Sequence, residues 1–212
     1  MSELSLPRYG SLPSRLVRLY IGLIGYGTGI GLLVQSGLGL DPWEVFHQGM
    51  SFRTGWSMGL CINLVGALVL LLWIPLRQRP GLGTISNVVI VGSCADLLMS
   101  HVAAQSHPVA EWAFLVAGIV LIAASSGLYI NAGFGPGPRD GLMTGLARLG
   151  LSIRVGRTLV ELTVLAAGWL LGGTVGIGTI VFAVSIGPLT QIFMRMWRPA
   201  PPVVTAPEAE PA

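Results

Sequence analysis

The chain contains the same unit twice. Gly31–Gly49 returns as Gly127–Gly145, 96 positions later. Gly81-Leu-Gly-Thr-Ile, followed by Gly92 and Met99, returns as Gly176-Ile-Gly-Thr-Ile, followed by Gly187 and Met194, 95 positions later. Whatever one copy folds into, the other must fold into as well, and the two must pack. In a strongly apolar chain, such a duplication points to transporter-like membrane architecture.

The apolar character is pronounced. Hydrophobic residues make up 52%, charged residues 10%, and the mean hydropathy is +0.74. Soluble domains carry about 25% charged residues, so this chain cannot cover a globular surface in water. It reads as an integral membrane protein whose first partner is the lipid bilayer. The net charge of +3 does not indicate nucleic acid, because the basic residues sit at the ends of apolar runs. All 12 basic residues are Arg, as GC-rich bacterial coding would produce. Cys61 and Cys94 lie within apolar runs and read as packing residues, with no metal site and no cofactor expected. Arg8, Arg15 and Arg18 precede the first apolar stretch, which no small-residue cleavage site follows, so it reads as a retained span.

The expected organisation is a polar lead (1–13), a membrane repeat (14–100), a linker (101–109), a second repeat (110–198) and a disordered Pro-rich tail (199–212). Six apolar segments approach the ~20 residues a bilayer requires: 16–37, 57–76, 82–100, 110–132, 155–173 and 177–196. With the N-terminus in the cytoplasm, eleven arginines fall inside and only Arg53 outside, which predicts both termini on the cytoplasmic side of a bacterial inner membrane. Three spans per copy would start the second copy on the opposite side. The expected fold is therefore all-α and polytopic, six transmembrane helices as two three-helix inverted repeats.

The most informative local chemistry follows the first span of each copy: Gly37-Leu-Gly-Leu-Asp-Pro-Trp-Glu44 and Gly133-Phe-Gly-Pro-Gly-Pro-Arg-Asp140. Glycines break the helix. Asp41 or Gly137 serves as N-cap, Pro42 or Pro138 opens the next helix, and Glu44 or Asp140 falls at its third position. Short helices are predicted near 42–51 and 138–149. They are either interfacial connectors or re-entrant half-helices, which membranes tolerate only around a protein-lined cavity.

Other polar residues in apolar runs are costly and therefore candidates. Glu161 and Arg157 are four apart on one helical face and predict an ion pair, structural or gating. Asp96 and His101 read as a solvated interfacial pair. Asn63 and Asn87 read as bonding to neighbouring helices, and the tryptophans as interfacial anchors. Gln35 and its counterpart Asn131 sit at the breaks, where they satisfy freed backbone groups or touch a ligand. Abundant glycines, such as Gly25-x-x-x-Gly29, suit close helix packing within the chain or in a homodimer. No catalytic motif, Walker loop or dinucleotide fingerprint occurs, so no catalytic residues and no enzyme activity are expected.

Gly37-Leu-Gly-Leu-Asp-Pro-Trp, Gly133-Phe-Gly-Pro-Gly-Pro-Arg-Asp-Gly-Leu-Met and Gly172-Gly-Thr-Val-Gly-Ile-Gly-Thr resemble the YczE/YyaS/YitT family of bacterial membrane proteins, the YczE branch most closely, over about residues 15–196. The resemblance implies a polytopic inner-membrane protein and carries no active site with it. The residues themselves support a small secondary transporter or permease, an exporter being one form of it, for an unidentified small molecule. Glu44, Asp140, Gln35 and Asn131 would bind substrate, and Glu161 with Arg157 would gate or couple. The alternative is a membrane scaffold or accessory subunit that moves nothing. A channel fits less well, because no span carries a ring of polar residues.

Overall fold

The computed structural model describes residues 11–150 and 152–198; the tail 199–212 and most of the polar lead lie outside the described residues. Eight helices follow in order among them: α1 (Leu12–Ser36), α2 (Pro42–Thr54), α3 (Met58–Trp73), α4 (Leu82–His101), α5 (Pro108–Asn131), α6 (Pro138–Arg148), α7 (Ile153–Leu170) and α8 (Ile177–Met196). The breaks come where the repeat puts glycine. Gly37 and Gly133 take φ near +70°, and Gly39 and Gly135 take φ of 115° and 111°, a region L side chains avoid. Asp41 then restarts the chain by accepting from Trp43 N and Glu44 N at 3.0 and 3.3 Å.

Four helices, α1, α4, α5 and α8, are long and apolar enough to cross a bilayer, and α2 with α3, bent by 116°, makes a fifth candidate. Length and composition thus fall short of the six separate spans expected. At 16 residues, α3 rises only about 24 Å against roughly 30 Å of hydrocarbon. Arg154, Arg157 and Glu161 interrupt α7.

α1 runs antiparallel to α5 through a glycine face: Gly22 meets Tyr129, Gly25 meets Ser125 and Gly29 meets Ile122. On its other side α1 runs parallel to α4, with Gly27 on Val91 and Gly31 on Leu98. Gly127, the counterpart of Gly31, packs in the same way on Phe193 of α8. Such small residues let backbones approach where lipid supplies no hydrophobic drive. Leu19, Leu23, Ile30, Leu33 and Leu115 fill the centre, while Leu68, Leu71, Ile180 and Val184 point outward.

Equivalent bonds recur in both copies. Gln35 Nε2 donates to Met99 O at 3.2 Å, and Asn131 Nδ2 to Met194 O at 3.0 Å. Gly83 N donates to Phe134 O at 2.9 Å across to the second break, and Gly178 N to Leu38 O at 2.8 Å across to the first. Each Gly-x-Gly-Thr motif therefore holds the opposite copy's broken helix. Arg15 caps the end of α5, its Nε donating to Ala132 O at 2.9 Å.

Three expectations for polar and aromatic residues are corrected. Asp96 does not pair with His101; it accepts from Gly59 N at 2.7 Å and Ser57 Oγ at 2.5 Å, because the free N–H groups opening α3 face it. Asn87 bonds no neighbouring helix and faces a cavity instead, whereas Asn63 does tie α3 to α4. Trp43 and Trp73 are buried rather than interfacial, the Trp73 indole donating to Pro138 O at 3.1 Å. Trp56, Trp112 and Trp169 are exposed as anchors should be.

Candidate functional site

The two helix breaks bring their charges to one place. Glu44, on the first turn of α2, turns inward and is 0% exposed. Its Oε2 accepts from His47 Nδ1 at 2.9 Å, one turn along the same helix. Its Oε1 pairs with Nη2 of Arg139, from the first turn of α6 in the other copy. Arg139 Nη1 lies 3.6 Å from Asp41 Oδ1, and its guanidinium lies 5.0 Å from the Trp43 ring centroid. One planar cation thus offsets two buried carboxylates and stacks on an indole, a geometry a lysine cannot reproduce. Trp43 and Arg139 are repeat counterparts, as are Glu44 and Asp140. The contact between the copies is therefore made by equivalent positions carrying different chemistry.

Above this cluster lies a cavity of about 470 Å³ bordered by Asn87, Tyr129, Asp140 and Phe182. Asp140 is exposed along its wall, and its Oδ2 accepts from Tyr129 OH at 3.3 Å. Tyr129 in turn meets Tyr26 edge-on at 6.1 Å. Arg157 and Glu161 reach the cavity from α7, paired at 2.8 Å. Apolar walls with a few convergent polar groups and this volume are what small-molecule sites have. Among the described residues no group of three His, Cys, Asp or Glu side chains is arranged to hold a metal ion.

Of the residues singled out from sequence, Asp140, Arg157 and Glu161 line the cavity, and Glu44 lies in the cluster at its floor. Gln35 and Asn131 are not brought to it. Their amides are committed to backbone carbonyls at the ends of α4 and α8, so their place as substrate ligands is corrected to that of helix ties. The sequence does not single out Arg139, His47, Asp41, Tyr26 or Tyr129 as site residues. Charge counting places Arg139 among the cytoplasmic loop arginines, yet it is an inter-copy ion-pair partner. One sequence feature pointed to it: Asp41 and Glu44 have no nearby cation in their own copy, and the second copy substitutes Arg139 for Trp43.

The model of a family of unknown function (DUF6198) matches residues 13–195. An uncharacterized protein of Haemophilus influenzae is 40% identical over 171 residues, covering 80% of this chain and 78% of the relative. The uncharacterized membrane protein YczE of Bacillus subtilis is 33% identical over 183 residues, covering 85% and 83%. The uncharacterized protein YyaS of the same organism is 29% identical over 179 residues, covering 82% and 89%. No solved structure matches.

Proposed function

The chain belongs to the DUF6198 family of membrane proteins, and from that premise we propose that it is a small secondary transporter or permease of the bacterial cytoplasmic membrane. Its two copies act as inverted repeats, with α2 and α6 as re-entrant half-helices and both termini cytoplasmic. The antiparallel packing of the counterpart helices α1 and α5 supports that reading, as do the reciprocal bonds of Gly83 and Gly178. So does the direction of the chain: the start of α1 lies at the end of α5, while the α4–α5 loop meets the end of α1 through Gln105 N and Gln35 O at 2.8 Å.

The observation that carries the proposal is the Asp41–Glu44–Arg139 cluster. Buried ions are stable only while paired. An ionic contact between two half-helices, at the floor of a cavity, is thus a joint whose energy depends on whether a ligand or proton replaces one partner. Alternating access needs such a two-state element. Arg157 with Glu161 would gate the α7 side, and Asp140 would contact the substrate.

A thiol placed on the cavity wall tests this. With Cys61 and Cys94 replaced by Ala, Met143→Cys is exposed to a membrane-impermeant maleimide from either side of the membrane. Transport predicts reaction from both sides, with the balance shifted by Glu44→Gln. Reaction from one side only, unchanged by Glu44→Gln, would leave the scaffold reading in its place.

A further inference from the structure

The cavity is closed on one flank and open on the other. α3 and α4 lock together: an added Cβ at Gly92 would collide with Gly59 O and Asn63 Oδ1, and Gly92 N donates to Asn63 Oδ1 at 3.1 Å. Their counterparts α7 and α8 make no comparable packing. Gly187, the counterpart of Gly92, would place a Cβ with nothing within 4 Å. Among the described residues no side chain of α7 bonds α8 as Asn63 of α3 bonds α4. Both helices still line the cavity, through Arg157 and Glu161 on one and Phe182, Ala183 and Gly187 on the other. The outer rim of the gap is apolar, with Leu159, Leu162, Ile180 and Val184 all exposed. Such a rim in a membrane protein faces acyl chains rather than water.

Inside, acceptors and negative charge prevail. Arg139 is shared by Asp41 and Glu44, and Arg157 is taken by Glu161, so among the described residues Asp140 has no basic partner at ion-pair distance. His47, 1% exposed, borders the cavity and gives Nδ1 to Glu44, while its Nε2 is buried without a partner. Tyr26 and Tyr129 add aromatic surface beside Asp140, and Ile62, Val65 and Ile122 supply apolar wall. A carboxylate beside two tyrosine rings calls for a cation bearing N–H, and the walls and portal call for an apolar body.

We infer that the cavity binds an amphiphilic ammonium, which enters from the bilayer through the gap between α7 and α8. This ligand class and route build on the transport reading above, which places the substrate in the same cavity. The probe is radiolabelled propranolol, a secondary ammonium on a naphthyl ring, with 2-naphthoxyacetate as its anionic counterpart. Both are dialysed against phosphatidylcholine nanodiscs holding the full chain, with empty discs as background.

Saturable, protein-dependent binding of propranolol and none of naphthoxyacetate is expected. Asp140→Asn should weaken it about tenfold, as loss of a charge-assisted contact does, and Asp140→Glu should restore most of it. Ala183→Trp fills the portal from an exposed position and should slow association severalfold without lowering the melting temperature. Binding of the anion instead, or propranolol binding indifferent to Asp140→Asn, would overturn the ligand class. An unchanged association rate in Ala183→Trp would overturn the route, as would a dimer that this variant splits, since the gap would then belong to a second copy. Propranolol binding together with one-sided Met143→Cys labelling would retire the transporter reading and leave the site standing.

Discussion

Arg139 neutralises Asp41 and Glu44 and lies over Trp43, so its loss strands two buried carboxylates at once. Removing one partner of a buried ion pair costs about 3–5 kcal/mol. Arg139→Ala is expected to lose stability of that order in reversible unfolding in mixed micelles, and Arg139→Lys to lose less, keeping the charge without the planar fork. Adding Glu44→Gln to Arg139→Ala should recover part of the loss; a double variant no more stable than Arg139→Ala would mean that the ion pair is not what holds the two breaks together. Gln35 and Asn131 behave differently. Each makes equivalent bonds to the end of a helix, so Gln35→Ala and Asn131→Ala should each cost about 1 kcal/mol. Propranolol binding should stay at the unsubstituted level in both; a large fall in either would return that residue to the site.

At the scale of elements, the helix faces are written in glycine, and the two copies use it unequally. Gly92 touches Gly59 and Asn63 across the α3–α4 seam, whereas Gly156 on α7 has only Leu146 near, at 3.8 Å from an added Cβ. Gly92→Ala is expected to destabilise by about 1–3 kcal/mol through overpacking. Gly156→Ala should be neutral or stabilising by up to about 1 kcal/mol, since alanine is the better helix former. Comparing the two unfolding curves checks the assignment, and equal losses would mean that Gly92 does not sit in a tight seam. The same comparison explains why periodicity alone missed the opening. A close seam forms only where both faces are small, as Gly59 and Gly92 are where α3 meets α4.

Across the whole molecule, the parts that hold the copies together are reciprocal, and the parts that border the cavity are not. Gly83 and Gly178 donate to Phe134 and Leu38 in matching bonds, but Trp43 faces Arg139 and the Trp73 indole is buried where Trp169 is exposed. The proposed orientation, with both ends on the cytoplasmic face, predicts a simple labelling result. In spheroplasts carrying the Cys-free background, Ala104→Cys should react with an impermeant maleimide, while Ser11→Cys should react only after permeabilisation. Labelling of both in intact spheroplasts would refute the proposed orientation.

Hydropathy, the duplicated glycines and the Asp-Pro or Gly-Pro restarts determined that this is a helical membrane protein with a broken helix after the first span of each copy. Those features are local: a glycine at positive φ or a proline at a helix start acts through its own backbone, so a line of letters carries it. Glu44, Asp140, Arg157 and Glu161 were legible for a similar reason, because a charge in an apolar run is conspicuous anywhere. Tertiary structure decided which charges meet. Arg139 reaches Glu44 across 95 residues of chain, and nothing local distinguishes it from a loop arginine. It also decided that Gln35 and Asn131 serve helix ends, and that one flank of the cavity closes while the other stays open. Pairing and packing depend on what stands opposite in space, and for Arg139 and Asn131 the opposite residue lies on another helix.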